Sequence, residues 1–142
     1  MRIRMIGVDL DGTLLDSTGN LSRHNREAVH AAQNRGLLVV PCTGRGWIES
    51  HRALADLTGL TLGVFVGGAV VADVNTGQSM NVVPFEPGLA LQLLDHLDDI
   101  PEAVLVFRDA ASVGHDYLVT GSGELSENTR WWFRTNNVKV HY

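Results

Sequence analysis

Asp9 and Asp11 stand two residues apart in the segment Asp9-Leu10-Asp11-Gly12-Thr13-Leu14. The segment follows directly on a short apolar run, Ile3 to Val8. Two carboxylates at that spacing beyond a strand end can face one pocket. Their like charge calls for a cation. A hard ion such as Mg2+ suits carboxylate and backbone carbonyl oxygens. Gly12 lets the chain turn tightly, and Thr13 can bond to neighbouring backbone. An isolated Asp-x-Asp-Gly is as easily a plain polar turn. Its place directly after a buried type of strand, and before Thr-Leu, favours a site beyond the strand ends of an open α/β sheet.

A second polar turn, Cys42-Thr43-Gly44-Arg45, follows the next apolar run. A hydroxyl and backbone N–H groups at a helix start form a phosphate cradle. Thr-Gly-Arg alone reads as a helix cap, but together with the aspartate loop one strand earlier it is a stronger signal. Cys42 has no histidine close in sequence, and it reads as a small residue beside a strand end rather than a nucleophile. His24, His30, His51, His96, His115 and His141 show no His-x-x-x-His spacing. Asp95, Asp98 and Asp99 read as a solvated face.

The elements that would hold these loops follow from the apolar pattern. Ile3 to Val8 predicts a strand buried on both faces. Ser22 caps a helix from Arg23 to Arg35, with Ala28, Val29 and Ala32 facing inward and Gly36 as the stop. Asn25 at the third helical position leaves the capping box incomplete. Leu37 to Val40 predicts a second strand, Gly46 to Thr58 a second helix, and Leu62 to Val66 a third strand. Strand, helix, strand, helix, strand is the grammar of a parallel α/β sheet. Beyond Gly67-Gly68, Ala69 to Val74 and Ser79 to Val83 flank a hairpin turn. Glu86 and Pro87 open a helix with a stripe of Ala90, Leu93, Leu94 and Leu97. Ala103 to Phe107 and Val113 to Val119 predict antiparallel strands. The tail ends on strand-like alternation of Val138, Val140 and Tyr142. Trp131, Trp132 and Phe133 show no clear period; they could pack a core, stack on a substrate or cover an interface. The expected division is a partial core over 1–84 and a partial α+β cap over 85–142.

The chain has 142 residues, 44% hydrophobic and 19% charged, with a formal net charge of −5. That balance describes a globular protein rather than a disordered one. It argues against nucleic acid as the main partner, since backbone phosphates demand clustered positive charge. A single cysteine excludes a disulfide framework within the chain and fits a reducing compartment. The opening apolar run is too short for a signal peptide or membrane span. The expected setting is cytoplasmic, with no membrane partner.

Asp9 through Leu14, continued by Leu15-Asp16-Ser17 and the capping Ser22, resembles the first motif of the haloacid dehalogenase-like hydrolases, most closely the Cof-type sugar-phosphate phosphatases. The resemblance implies a Rossmann-like core followed by a cap. It implies that Asp9 attacks a phosphoryl group and that Asp11 is the acid–base. Mg2+ would sit between the Asp9 carboxylate and the Asp11 backbone carbonyl. Thr43 matches the second motif and would bond to the transferring phosphoryl, with Gly44 donating its N–H. Arg45, common at this place in Cof-type members, would contact substrate or brace acidic groups. Cof-type members carry Asn-Gly-Ala where this chain has Gly67-Gly68-Ala69, so the asparagine's amide is missing.

The later motifs of such proteins supply a lysine and further aspartates, typically Gly-Asp followed by Asn-Asp. Lys139 is the sole lysine and its setting does not match, and no Gly-Asp pair occurs. The expectation is an N-terminal portion of a larger hydrolase. Three functions stay open: Mg2+-dependent hydrolysis of a small phosphorylated metabolite, a phosphomutase, or a catalytically incomplete domain of a split or truncated protein. A sheet cut after its third strand leaves an open edge. A second copy or a complementing chain would cover it.

Overall fold

The computed structural model describes residues 3–142. They form two units, one ending at Val82 and one running from Val83 to Tyr142. In the first, β1 (Met5–Val8) and β2 (Leu38–Pro41) pair in parallel, with Val8 opposite Pro41. The crossover between them is α1 (Arg23–Asn34), whose N-cap Ser22 accepts from the Asn25 N–H. Val29 is the buried residue of α1. Ala28 is exposed rather than inward, because the apolar stripe of this helix is narrow.

After β2 come α2 (Trp47–Leu54) and β3 (Leu62–Phe65). β3 runs parallel to β2 through a bridge between Cys42 and Val64, with the Thr43 N–H donating to the Val64 carbonyl at 2.9 Å. Its ladder partner is β4 (Val70–Asp73), antiparallel, and β4 pairs in turn with β5 (Ser79–Val82). A parallel α/β core thus passes into an antiparallel meander. The meander is tied back by Trp47, whose indole N–H donates to the Val74 carbonyl at 2.8 Å. The Trp47 ring lies where a Cβ on Gly77 would fall, within 2.6 Å.

The core of this unit gathers Leu10, Leu14, Leu15, Val39, Val40, Leu54, Phe65 and Val70. β1 does not join it as expected. Met5 is 60% and Ile6 38% exposed. β2 is the strand that pairs with β1 along one side, so an apolar sequence suited to two covered faces is left open.

The second unit opens with α3 (Pro87–Leu97). Glu86 takes the N-cap position without a side-chain bond, and Pro87 starts the helix. β6 (Val104–Phe107) and β7 (Tyr117–Thr120) pair antiparallel. The strand expected from Val113 starts only at Tyr117, because a single helical turn, α4 (Ala110–Val113), closed by Gly114 at φ +81°, precedes it. The second correction is α5 (Glu127–Thr135), a helix where no period was evident. Ser126 caps it, accepting from the Thr129 N–H. Phe133 is buried and Trp131 exposed, so the aromatic triplet is not one core cluster. Phe133 stacks on Tyr117 at 5.3 Å between centroids. The terminal strand shrinks to β8 (Val140–His141), parallel to β7. It is fastened by the Asp116 carboxylate, which accepts from the Lys139 N–H at 2.8 Å. This unit therefore carries three helices, not one.

Candidate active site

The parallel register fixes where the two polar loops begin. Val8 and Pro41 are opposite one another, and the Cys42 N–H donates to the Val8 carbonyl at 2.8 Å. Asp9 and Cys42 therefore leave adjacent strands at the same end.

The aspartate loop is built on leucines. Leu10 is fully buried, while Asp9 and Asp11 on either side are exposed. Leu14 and Leu15 are buried as well. Their N–H groups close the loop onto the Asp9 carbonyl at 3.2 Å and the Leu10 carbonyl at 2.8 Å. Gly12 sits at φ +72°, a conformation that costs an L-residue about 1–2 kcal/mol. Asn25 of α1 completes the anchoring. Its side-chain amide donates to the Leu14 carbonyl at 2.8 Å. The residue that fails to complete a capping box instead ties the helix to the loop.

Beyond the turn, the carboxylate of Asp16 accepts from the Thr18 hydroxyl at 2.7 Å and from the N–H groups of Thr18 and Asn20. These bonds, the Thr18 hydroxyl first, hold the Asp16 carboxyl below its ordinary value.

The threonine loop is the better-buried partner. Thr43 is buried, and its hydroxyl accepts from the Arg45 N–H at 3.2 Å. Gly44 is exposed. Glu49 reaches back to accept from the Gly46 N–H at 2.7 Å, and the Ser50 hydroxyl donates to the Gly46 carbonyl at 2.9 Å. Both side chains are buried. Sequence reasoning passes over Glu49 and Ser50. The available signal is an acidic residue three positions after Gly46 at a helix start, half of a capping box.

Arg45 joins the two loops. Its Nε donates to one Asp11 carboxylate oxygen at 2.8 Å, and a terminal nitrogen donates to the other. The remaining terminal nitrogen donates to the Glu49 carbonyl at 3.3 Å. Of the two readings open for Arg45, bracing an acidic group is the contact seen.

A third loop closes on the second. The Val66 N–H donates to the Arg45 carbonyl, and the Gly67 N–H to the Thr43 carbonyl. To do so the chain takes positive φ at Val66 (53°), Gly67 (61°) and Gly68 (108°). A β-branched residue at positive φ is a strained conformation of the kind that clusters at functional sites. Gly67 occupies the left-handed region that asparagine also tolerates.

Among the described residues, no group of three or more His, Cys, Asp or Glu side chains could hold a metal ion. No described helix is long and apolar enough to cross a membrane. His115 and His141 stack at 5.2 Å between centroids, in the second unit.

Comparison with known proteins fits this arrangement. The family model for haloacid dehalogenase-like hydrolases matches residues 6–141. The protein YxeH of Bacillus subtilis (strain 168) is 30% identical over 145 aligned positions, covering 98% of this chain and 50% of YxeH. The pyridoxal phosphate phosphatase YbhA of Escherichia coli (strain K12) is 29% identical over 113 positions, covering 80% of this chain and 42% of YbhA. Among solved structures, the subclass IIB sugar phosphatase BT4131 superposes with a TM-score of 0.74 at 17% identity, over 96% of this chain and 50% of that one. The chain thus spans about half the length of these relatives. By the extent of the family match, the chain belongs to the haloacid dehalogenase-like hydrolases.

Proposed function

We propose that this chain carries the nucleophilic loop of a Mg2+-dependent hydrolase acting on a small phosphate monoester, such as a sugar phosphate. The observation that carries the reading is the Arg45–Asp11 contact. It brings the aspartate and threonine loops together beyond the ends of two parallel strands.

In this reading an Asp9 carboxylate oxygen attacks phosphorus. The bond to the leaving oxygen breaks, and Asp11 supplies that oxygen's proton. Water then attacks the aspartyl-phosphate as Asp11 takes a proton back. Inorganic phosphate leaves and Asp9 is restored. The Thr43 hydroxyl and the Gly44 N–H hold phosphoryl oxygens, as donors aimed at developing negative charge.

The donor set fits Mg2+. Both Asp11 carboxylate oxygens accept from Arg45, which leaves a cation the Asp9 carboxylate and the Asp11 backbone carbonyl. A carboxylate and a backbone carbonyl on two exposed residues suit a small hard ion that keeps most of its waters. When bound, the ion offsets the repulsion between Asp9 and an incoming phosphate.

The experiment is hydrolysis of a generic phosphate ester with and without Mg2+. Asp9→Asn is expected to abolish turnover, and Asp11→Asn to slow it by about 10²–10⁴-fold, the usual worth of acid–base help. Wild-type rates in the Asp9 variant would refute the assignment.

A second reading is favoured by β1, where Met5 and Ile6 are exposed, and by the exposed Ile3 just before it. In it, this face is covered by a second copy of the chain. Sedimentation of the purified chain then shows a dimer that Met5→Lys dissociates. A wild-type monomer at high micromolar concentration excludes that cover.

A further inference from the structure

The Arg45–Asp11 pair is asymmetric in a way that suggests which partner gives way. Arg45 is held on several sides. Its guanidinium is bonded to the Glu49 carbonyl, its N–H to the Thr43 hydroxyl, and its carbonyl accepts from the Val66 N–H. Its side chain is 16% exposed, whereas that of Asp11 is 56% exposed. Asp11 also sits on a short loop next to Gly12, at φ +72°. The cation is fixed and the carboxylate is the movable half.

Both Asp11 oxygens lie in the guanidinium fork. A carboxylate so engaged is not aimed at a leaving group. The same fork fits two oxygens of a phosphate as well as it fits a carboxylate. A phosphate monoester dianion brings twice the charge of Asp11, and the Asp11 half of the pair it must displace is open to solvent.

Resting on the phosphate-site reading above, we propose that Arg45 is a lock and sensor. It holds Asp11 aside in the resting site and exchanges it for a phosphate dianion, which frees Asp11 for acid–base work. Arg45 then binds the phosphate directly as well as positioning Asp11, and a singly charged carboxylate ligand would release Asp11 far less well than phosphate.

The test is 15N NMR of the whole chain, following the Arg45 Nε–H and the Gly44 N–H, with inorganic phosphate as probe and Mg2+ present throughout. Without phosphate, Asp11→Asn is expected to shift the Arg45 Nε–H signal, because the partner's charge and one of its two acceptor oxygens are gone. With saturating phosphate, wild type and Asp11→Asn are expected to converge on one Arg45 position, because Asp11 has left the fork in the former. If phosphate moves the Gly44 N–H while the two Arg45 signals stay apart, the exchange is overturned and the phosphate site stands. If phosphate moves neither signal, the site reading and the exchange both fall.

Discussion

Leu10 makes the two aspartates a pair. Because it is fully buried, Asp9 and Asp11 on either side stay exposed at the same strand end. This much is legible in the sequence, since an apolar residue between two acids beyond a buried strand has one obvious place to go. The Arg45 contact is legible only as one of two options, because a long side chain's partner depends on tertiary placement. Gly67 is a residue-scale test. It sits at φ +61°, and a Cβ built there meets nothing within 4 Å. Asparagine tolerates that region, and a β-branched residue adopts it only under strain, as Val66 does next to it. Gly67→Asn is expected to change stability by less than about 1 kcal/mol, and Gly67→Val to lower it by about 1–2 kcal/mol or more. Paired thermal melts read the difference.

At the scale of elements, helices and strands with clean periods are readable, and α5 is not. Trp131, Trp132 and Phe133 are adjacent, so they point about 100° apart around a helix and cannot share a face. Only Phe133 is buried. The usable signal is the cap, Ser126 before Glu127, rather than the apolar pattern. β1 misleads for the opposite reason: its composition suits burial that this chain does not provide. The turns carry their own prediction. Asp73 accepts from the Thr76 N–H and hydroxyl and from the Asn75 N–H. Those bonds, the Thr76 N–H first, depress its carboxyl, as the Thr18 hydroxyl does for Asp16. Both groups have folded values below the unfolded one. Their stabilisation is therefore whole above the ordinary value of 3.8 and is lost as pH falls through the lower folded values. Amide exchange in residues 16–20 and 73–77 is expected to quicken below pH 4, relative to neighbouring strands and after correction for intrinsic rates. Asp73→Asn should remove the pH dependence at 73–77 alone.

At the scale of the whole molecule, the mixed α/β fold with its parallel pair follows from alternating apolar runs and helical patterns. The exposed β1 face and the strained 66–68 loop do not, because both depend on which strands neighbour which. The account stands on Asp9 as the atom that receives phosphorus. Beryllium fluoride with Mg2+ forms a stable mimic of an aspartyl-phosphate, and 19F NMR reports it without requiring turnover. The account predicts bound 19F resonances with the wild-type chain that vanish in Asp9→Asn. Identical spectra from the two proteins, with bound resonances in both or in neither, would contradict it.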